Sequence, residues 1–160
     1  KICNKSCIIM KYSISIILPV LNEIISLKKT LLIIDKIKVD KEFLIIYSDK
    51  LTKSSVKKKI ILLKKKYKTL KYFKQTRPYV GGAIDTGIKN SKKKYIAIMA
   101  SDLETNPSEL KQMIKISSKN HKSIISADRW SKKRSFKGYG LLKTIANFIF
   151  QKLLKFFFWL

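Results

Sequence analysis

The chain is 160 residues long, 46% hydrophobic, with two cysteines, one histidine and a formal net charge of +26. Its length and apolar fraction suffice for one cored domain. Cys3 and Cys7, with no second cysteine pair and no histidine nearby, indicate neither a disulfide framework nor a zinc site, and a lone histidine gives no basis for a Ser-His-Asp set. The charge, 36 basic against 10 acidic residues, directs attention to polyanions: nucleic acid, an anionic membrane face or a phosphorylated substrate.

Lysine in excess beside abundant isoleucine is also what AT-rich coding produces. No zinc-finger or aromatic RNA-binding signature accompanies it, so a specific nucleic-acid partner is not expected. Residues 1–11 read as a disordered lead, with Met10 a candidate initiator. The opening run resembles a secretory signal in its basic start, but Pro19, Asn22 and Glu23 interrupt it and no small-residue cleavage site follows.

"SISIILPVLNE" has the β-branched continuity of an inner parallel strand. Leu27, Leu31, Ile34 and Ile37 then recur at helical spacing, predicting a helix from Asn22 or Ser26 to about Lys38. "KEFLIIYSD" is a second strand, and Val56, Ile60, Leu63 and Tyr67 mark a helix over 53–68 with its lysines on a solvated face. "TLKYFKQ" is a third strand, Gly81 and Gly82 precede a helical segment, and "KYIAIMASD" is a fourth strand. Ser108 is placed to cap a helix in "SELKQMIKISSK", and "HKSIISADRW" predicts a fifth strand ending at Arg129.

Such alternation predicts an α/β fold, an open, mostly parallel sheet flanked by helices. Ligands bind outside the carboxyl ends of such strands. The candidate residues fall there: Pro19, Asn22 and Glu23 after the first strand, Ser48 and Asp49 after the second, Gly81 and Gly82 after the third, Asp102 and Glu104 after the fourth. In extended geometry Asp102 and Glu104 would point to one side. Two oxygen ligands so placed suit Mg or Mn, and Arg129, Lys133 and Arg134 offer charge to a phosphate. Each motif also has a plainer reading: a D-x-E pair is common, a glycine pair is usually a turn, and Asn22-Glu23 can simply start a helix.

"LLKTIANFIFQKLLKFFFWL" carries Leu141, Leu142, Ile145, Phe148, Ile149, Leu153 and Phe156 near one helical stripe. Lys143, Gln151, Lys152 and Lys155 interrupt it too often for a bilayer span. Two readings stand: an in-plane helix at an anionic leaflet, or a packing helix whose partner lies in a further segment.

Taken in order, "ISIILPVLNE", "EFLIIYSD", "VGGAIDTGI", "KYIAIMASDLETNPSEL" and "ISADRWSKKRSFKGYGLLKTIANFIFQKLL" resemble the family 2 glycosyltransferases of the GT-A fold. The branch most similar is that of the polyprenyl-phosphate sugar synthases typified by dolichol-phosphate mannose synthase. The resemblance covers roughly residues 12–155 and lies in the order and spacing of five segments rather than in any one.

The resemblance implies a nucleotide diphosphate sugar donor, a polyprenyl phosphate acceptor, Mg or Mn as cofactor, and attachment to an anionic membrane surface on its cytoplasmic face. It places Pro19, Asn22 and Glu23 at the donor base, Ser48 and Asp49 at base and ribose, and Gly81 and Gly82 in the turn beside the donor. Asp102 and Glu104 take the metal positions and Arg129 a phosphate-binding one, with Asp102 and Arg129 the catalytic pair. Ala100 stands where the metal motif has its first acid, and Lys50, Leu51 and Thr52 where a further carboxylate is expected. The lipid acceptor tips the tail toward the membrane reading. The expected organisation is a lead over 1–11, a nucleotide-sugar-binding domain over 12–135 and an amphipathic, membrane-associated helix over 136–160. Family members continue beyond this length, so the chain is expected to be a fragment. A rival expectation is an inactive remnant that binds only nucleotide or membrane.

Overall fold

The computed structural model describes residues 12–120, 122–127 and 141–158. Strand β1 (Ser13–Val20) is built from the isoleucine-rich run, and Ile16, Ile17 and Leu18 within it are fully buried. Each such side chain contributes roughly 2 kcal/mol by leaving water. It pairs in parallel with β2 (Asp40–Tyr47), which pairs with β3 (Leu70–Lys74), while β4 (Tyr95–Ile98) joins the other side of β1. The strand order is therefore β3-β2-β1-β4.

Helices α1 (Ile24–Asp35), α2 (Ser54–Lys66), α3 (Tyr79–Asn90) and α4 (Glu109–Ser117) connect and follow the strands. The pleat of β1 divides the core. Ile14, Ile16, Leu18 and Val20 meet Leu27, Leu31 and Ile34 of α1, Val56, Ile60 and Leu63 of α2, and Leu110 and Ile114 of α4. Ile17, Leu44 and Ile46 form the smaller layer on the other side with Ala83 of α3. Gly87 lets α3 lie close there, because a Cβ would come within 2.5 Å of Ile17 Cγ2.

Glu42 is a buried polar junction toward the amino ends of the strands. It is 3% exposed and in register with Ser15. Its Oε1 accepts from Ser15 Oγ at 2.7 Å and from Lys92 N–H at 2.8 Å, and its Oε2 accepts from Lys71 Nζ at 2.7 Å. Burial pushes the carboxyl pKa up, but the hydrogen bonds from Lys71, Ser15 and Lys92 outweigh it and hold the group below its ordinary value.

Several expectations need correction. Residues 122–127, the described part of the expected fifth strand, form a turn and irregular chain, with Ile124 fully exposed. Two isoleucines in a polar segment offer too little apolar surface to hold a strand against a sheet. The fourth strand ends at Ile98, short of Asp102. Ser108 makes no capping bond; Asn106 Oδ1 does that work, accepting from Ser108 N–H at 3.1 Å and from Ser108 Oγ at 2.8 Å. On α2 the expected face holds, with Val56, Ile60 and Leu63 buried, and Ile61 and Leu62 stand with the lysines on the solvent face.

The chain divides into two compact units after Ile125. The second contains helix α5 (Leu141–Phe158), 18 residues long and so about 27 Å. Leu142, Ile145, Phe148, Ile149, Leu153 and Phe156 are exposed on it, as are Phe150, Leu154 and Phe157 off the expected stripe. No helix among the described residues is long and apolar enough to cross a membrane.

Candidate functional site

The order β3-β2-β1-β4 means that the chain moves outward from β1 twice and then returns to its other side. The crevice at such a reversal, beyond the carboxyl ends of β1 and β4, is where open α/β sheets take ligands. Two bonds fix the two loops across it: Met99 N–H donates to Ile17 O at 3.1 Å, and Ser101 Oγ donates to Pro19 O at 2.8 Å.

After β1, Glu23 folds its carboxylate back on the loop, where Oε2 accepts from the N–H groups of Leu21 and Asn22, both at 2.9 Å. Asn22 Oδ1 accepts from Lys53 N–H at 3.0 Å and so joins this loop to the start of α2. After β2, Ser48 Oγ accepts from Leu51 N–H and Ser48 N–H donates to Thr52 Oγ1, both at 3.2 Å. Asp49 is exposed and clasped by Lys74 at 2.7 Å and Lys57 at 2.9 Å. The hydrogen bonds from Lys74 and Lys57, with the charges behind them, bring its pKa down to about 2.

After β3, the loop closes hard on the first turn of α3. Thr76 N–H donates to Thr86 Oγ1 at 3.0 Å, Thr86 Oγ1 donates to Gly82 O at 2.8 Å, and Gln75 Nε2 donates to Arg77 O at 2.9 Å. The two glycines part company here. A Cβ on Gly82 would lie within 2.5 Å of the Arg77 carbonyl carbon and closer still to its oxygen, whereas a Cβ on Gly81 would meet nothing within 4 Å. Tyr79, at φ 62°, takes the left-handed backbone that side chains disfavour, and the residue is 83% exposed.

After β4, Asp102 Oδ1 accepts from Glu104 N–H at 2.9 Å, and Leu103 between them sits at φ 68°. This Asx turn replaces the extended geometry from which both carboxylates were expected to share one side. Asp102 Oδ2 has no partner among the described residues.

These ends enclose a cleft of about 490 Å³, within the range of small-molecule sites. Of the expected residues, Pro19, Glu23, Ser48 and Asp102 line it. Asn22, Asp49, Gly81, Gly82 and Glu104 belong to the same loops and turns without lining it, and Arg129, with Lys133 and Arg134, lies outside the described residues. Gln75, Tyr79, Met99 and Ser101 also line the cleft and were not anticipated. Gln75 follows β3 directly, so the rule that selected Ser48 would have found it. Nothing in residue type announces the backbone of Tyr79.

Residues 15–159 match the sequence profile of Glycosyl transferase family 2, and the chain belongs to that family. It is a glycosyltransferase with a nucleotide-sugar donor. No curated protein matches the chain. Members commonly use a divalent metal. Among the described residues no three His, Cys, Asp or Glu side chains gather at one point. Asp102 and Glu104, both exposed on one turn, carry carboxylate oxygens of the hard type that Mg or Mn takes alongside waters and substrate phosphates.

Proposed function

We propose that the chain transfers a sugar from a nucleotide diphosphate sugar to a polyprenyl phosphate with inversion at the anomeric carbon, in the manner of the dolichol-phosphate mannose synthase branch. The observation that carries the reading is that Pro19, Glu23, Ser48 and Asp102 line one cleft at the sheet's reversal point in a chain of this family. Pro19, Asn22, Glu23 and Ser48 receive the donor's base and ribose. Asp49 meets them from the rim, its charge shared with Lys57 and Lys74. Gly81 and Gly82 form the turn beside the donor, Gly81 leaving open space where a Cβ would stand and Gly82 letting the Arg77 carbonyl close on the first turn of α3.

An acceptor phosphate oxygen forms the new bond to the anomeric carbon, and the bond to the nucleoside diphosphate breaks with its electron pair leaving on phosphate oxygen. The acceptor is already ionised near neutral pH, so no strong general base is required. When bound, Mg or Mn held by Asp102 and Glu104 supplies positive charge against the leaving diphosphate. The family resemblance assigns Arg129 the binding of a phosphate. Electrostatic stabilisation of the leaving group carries most of the rate. Helix α5 lies in the plane of an anionic cytoplasmic leaflet, with its exposed aromatics in the boundary.

Sugar transfer from labelled nucleotide sugars to polyprenyl phosphate, with and without Mg or Mn, tests this. Asp102→Asn keeps an oxygen for the Glu104 N–H and so preserves the turn, yet it removes the charge; transfer should fall about a hundredfold or more. The second reading, nucleotide binding without turnover, is favoured by Ala100 in place of an acid and by the sparse donor set. Nucleotide binding with no product under any metal would establish it and sink the first.

A further inference from the structure

On the face of the first unit formed by α1 and α2 lies a groove of about 260 Å³, separate from the cleft. Its floor is Leu32, Leu62 and Tyr67, and its rim is Lys28, Lys59 and Lys66. Helical spacing sets Ile25 in line with Lys28 and Leu32 on α1. On α2, Ile61 and Leu62 sit between Lys57–Lys59 and Lys64–Lys66. These aliphatics are well exposed: Ile25 by 72%, Leu62 by 58%, Leu32 and Ile61 by 46%. None of the three rim lysines has an ion pair among the described residues. Asp35, the acid near enough to raise the Tyr67 pKa beyond what burial does, faces Lys41 at 4.0 Å.

We infer that this α1–α2 face is a docking surface for an anionic lipid bilayer. The argument is one of complementarity. Aliphatic side chains ringed by lysines match a bilayer boundary, where the apolar tips enter and the ammonium groups rise to the headgroups. Nucleic acid fits less well, since the exposed part of the floor is aliphatic, its one ring, Tyr67, being 6% exposed, and lysine lacks the planar fork that grips phosphate. The surface belongs to the first unit and owes nothing to α5 or to the transfer reaction.

Because α5 is a second candidate for membrane contact, the test must report locally. In the full chain with Cys3→Ser and Cys7→Ser, a polarity-sensitive dye is placed at Leu62→Cys and, as the control, at Lys89→Cys on α3 across the sheet. Vesicles of phosphatidylcholine with about a third phosphatidylserine should shift the position-62 dye to the blue and leave the position-89 dye unchanged. Lys59→Ala with Lys66→Ala should weaken the partitioning read at position 62 about thirtyfold, about fivefold for each lysine. The proposal is overturned if the dye at 62 stays in water while the chain sediments with vesicles, or if neutral vesicles shift it equally. It is also overturned if an acidic peptide or RNA shifts it and vesicles do not.

Discussion

Gly81 and Gly82 look interchangeable in the sequence, and the structure separates them by the direction of one absent methyl. A methyl on Gly81 enters open space, so Gly81→Ala gains helix propensity and reduces unfolded-state entropy, a stabilisation of about 0.5 kcal/mol in a first turn. A methyl on Gly82 meets the Arg77 carbonyl, which is backbone and cannot rotate aside. The loop must move instead, straining the Thr76–Thr86 and Gln75–Arg77 bonds that close it. Overpacking of this kind costs about 3 kcal/mol, so Gly82→Ala nets about 2.5 kcal/mol of destabilisation. The two variants should differ by about 3 kcal/mol, or roughly 12 °C at about 4 °C per kcal/mol. Urea and thermal unfolding followed by circular dichroism read this directly. If Gly82→Ala melts within about 2 °C of the wild type, the tight closure of the loop on α3 is wrong. Donor affinity adds a second readout, because a stabilised Gly81→Ala that loses nucleotide-sugar binding places the donor against that turn.

Glu42→Gln should cost about 1–2 kcal/mol near neutral pH, because Lys71, 40% exposed at its side chain, recovers water while the charge-assisted bond is lost. Glu42→Leu strands Ser15 Oγ and Lys92 N–H as well and should cost about 3–4 kcal/mol. The folded carboxyl pKa is depressed, so its contribution is complete above the unfolded value of about 4.3 and is lost as pH falls through the folded value; the Gln variant and wild type should converge in acid. Carboxyl NMR should find Asp49 titrating at about 2 in low salt, and Lys57→Ala with Lys74→Ala should return it toward the ordinary aspartate range. Leu103→Gly should hold stability or raise it by about 0.5–1 kcal/mol, since relief of the left-handed backbone outweighs the added unfolded-state freedom; a measured loss beyond about 1 kcal/mol would contradict that account.

The parallel sheet was legible because its two inner strands are buried on both faces, which demands the continuous apolar runs at 16–18 and 43–46. Helices α1 and α2 were legible because one face of each must meet that sheet, which spaces Leu27, Leu31 and Ile34, or Val56, Ile60 and Leu63, by helical turns. The site was legible to the extent that it follows from topology. A reader who knows where parallel strands end can find Pro19, Ser48 and Asp102. The expected fifth strand failed because periodicity over two isoleucines carries almost no burial.

What escaped reading depends on backbone states that residue type does not encode. Tyr79 and Leu103 both adopt positive φ, one in the loop after β3 and the other in the loop after β4. Each costs about 1–2 kcal/mol against an ordinary conformation, and each persists only because neighbours over-determine it. For Leu103 the neighbour is known: Asp102 takes the Glu104 N–H, and no extended chain can make that bond. The acid that faces the cleft therefore also shapes the turn that aims it. Its charge and its acceptor oxygen are separable roles, which is why Asp102→Asn distinguishes lost chemistry from a lost loop better than Asp102→Ala does. For Tyr79 the closure of the loop on Gly82 leaves the chain little choice as it enters α3, so the strain at Tyr79 and the intolerance at Gly82 are one constraint seen from two residues.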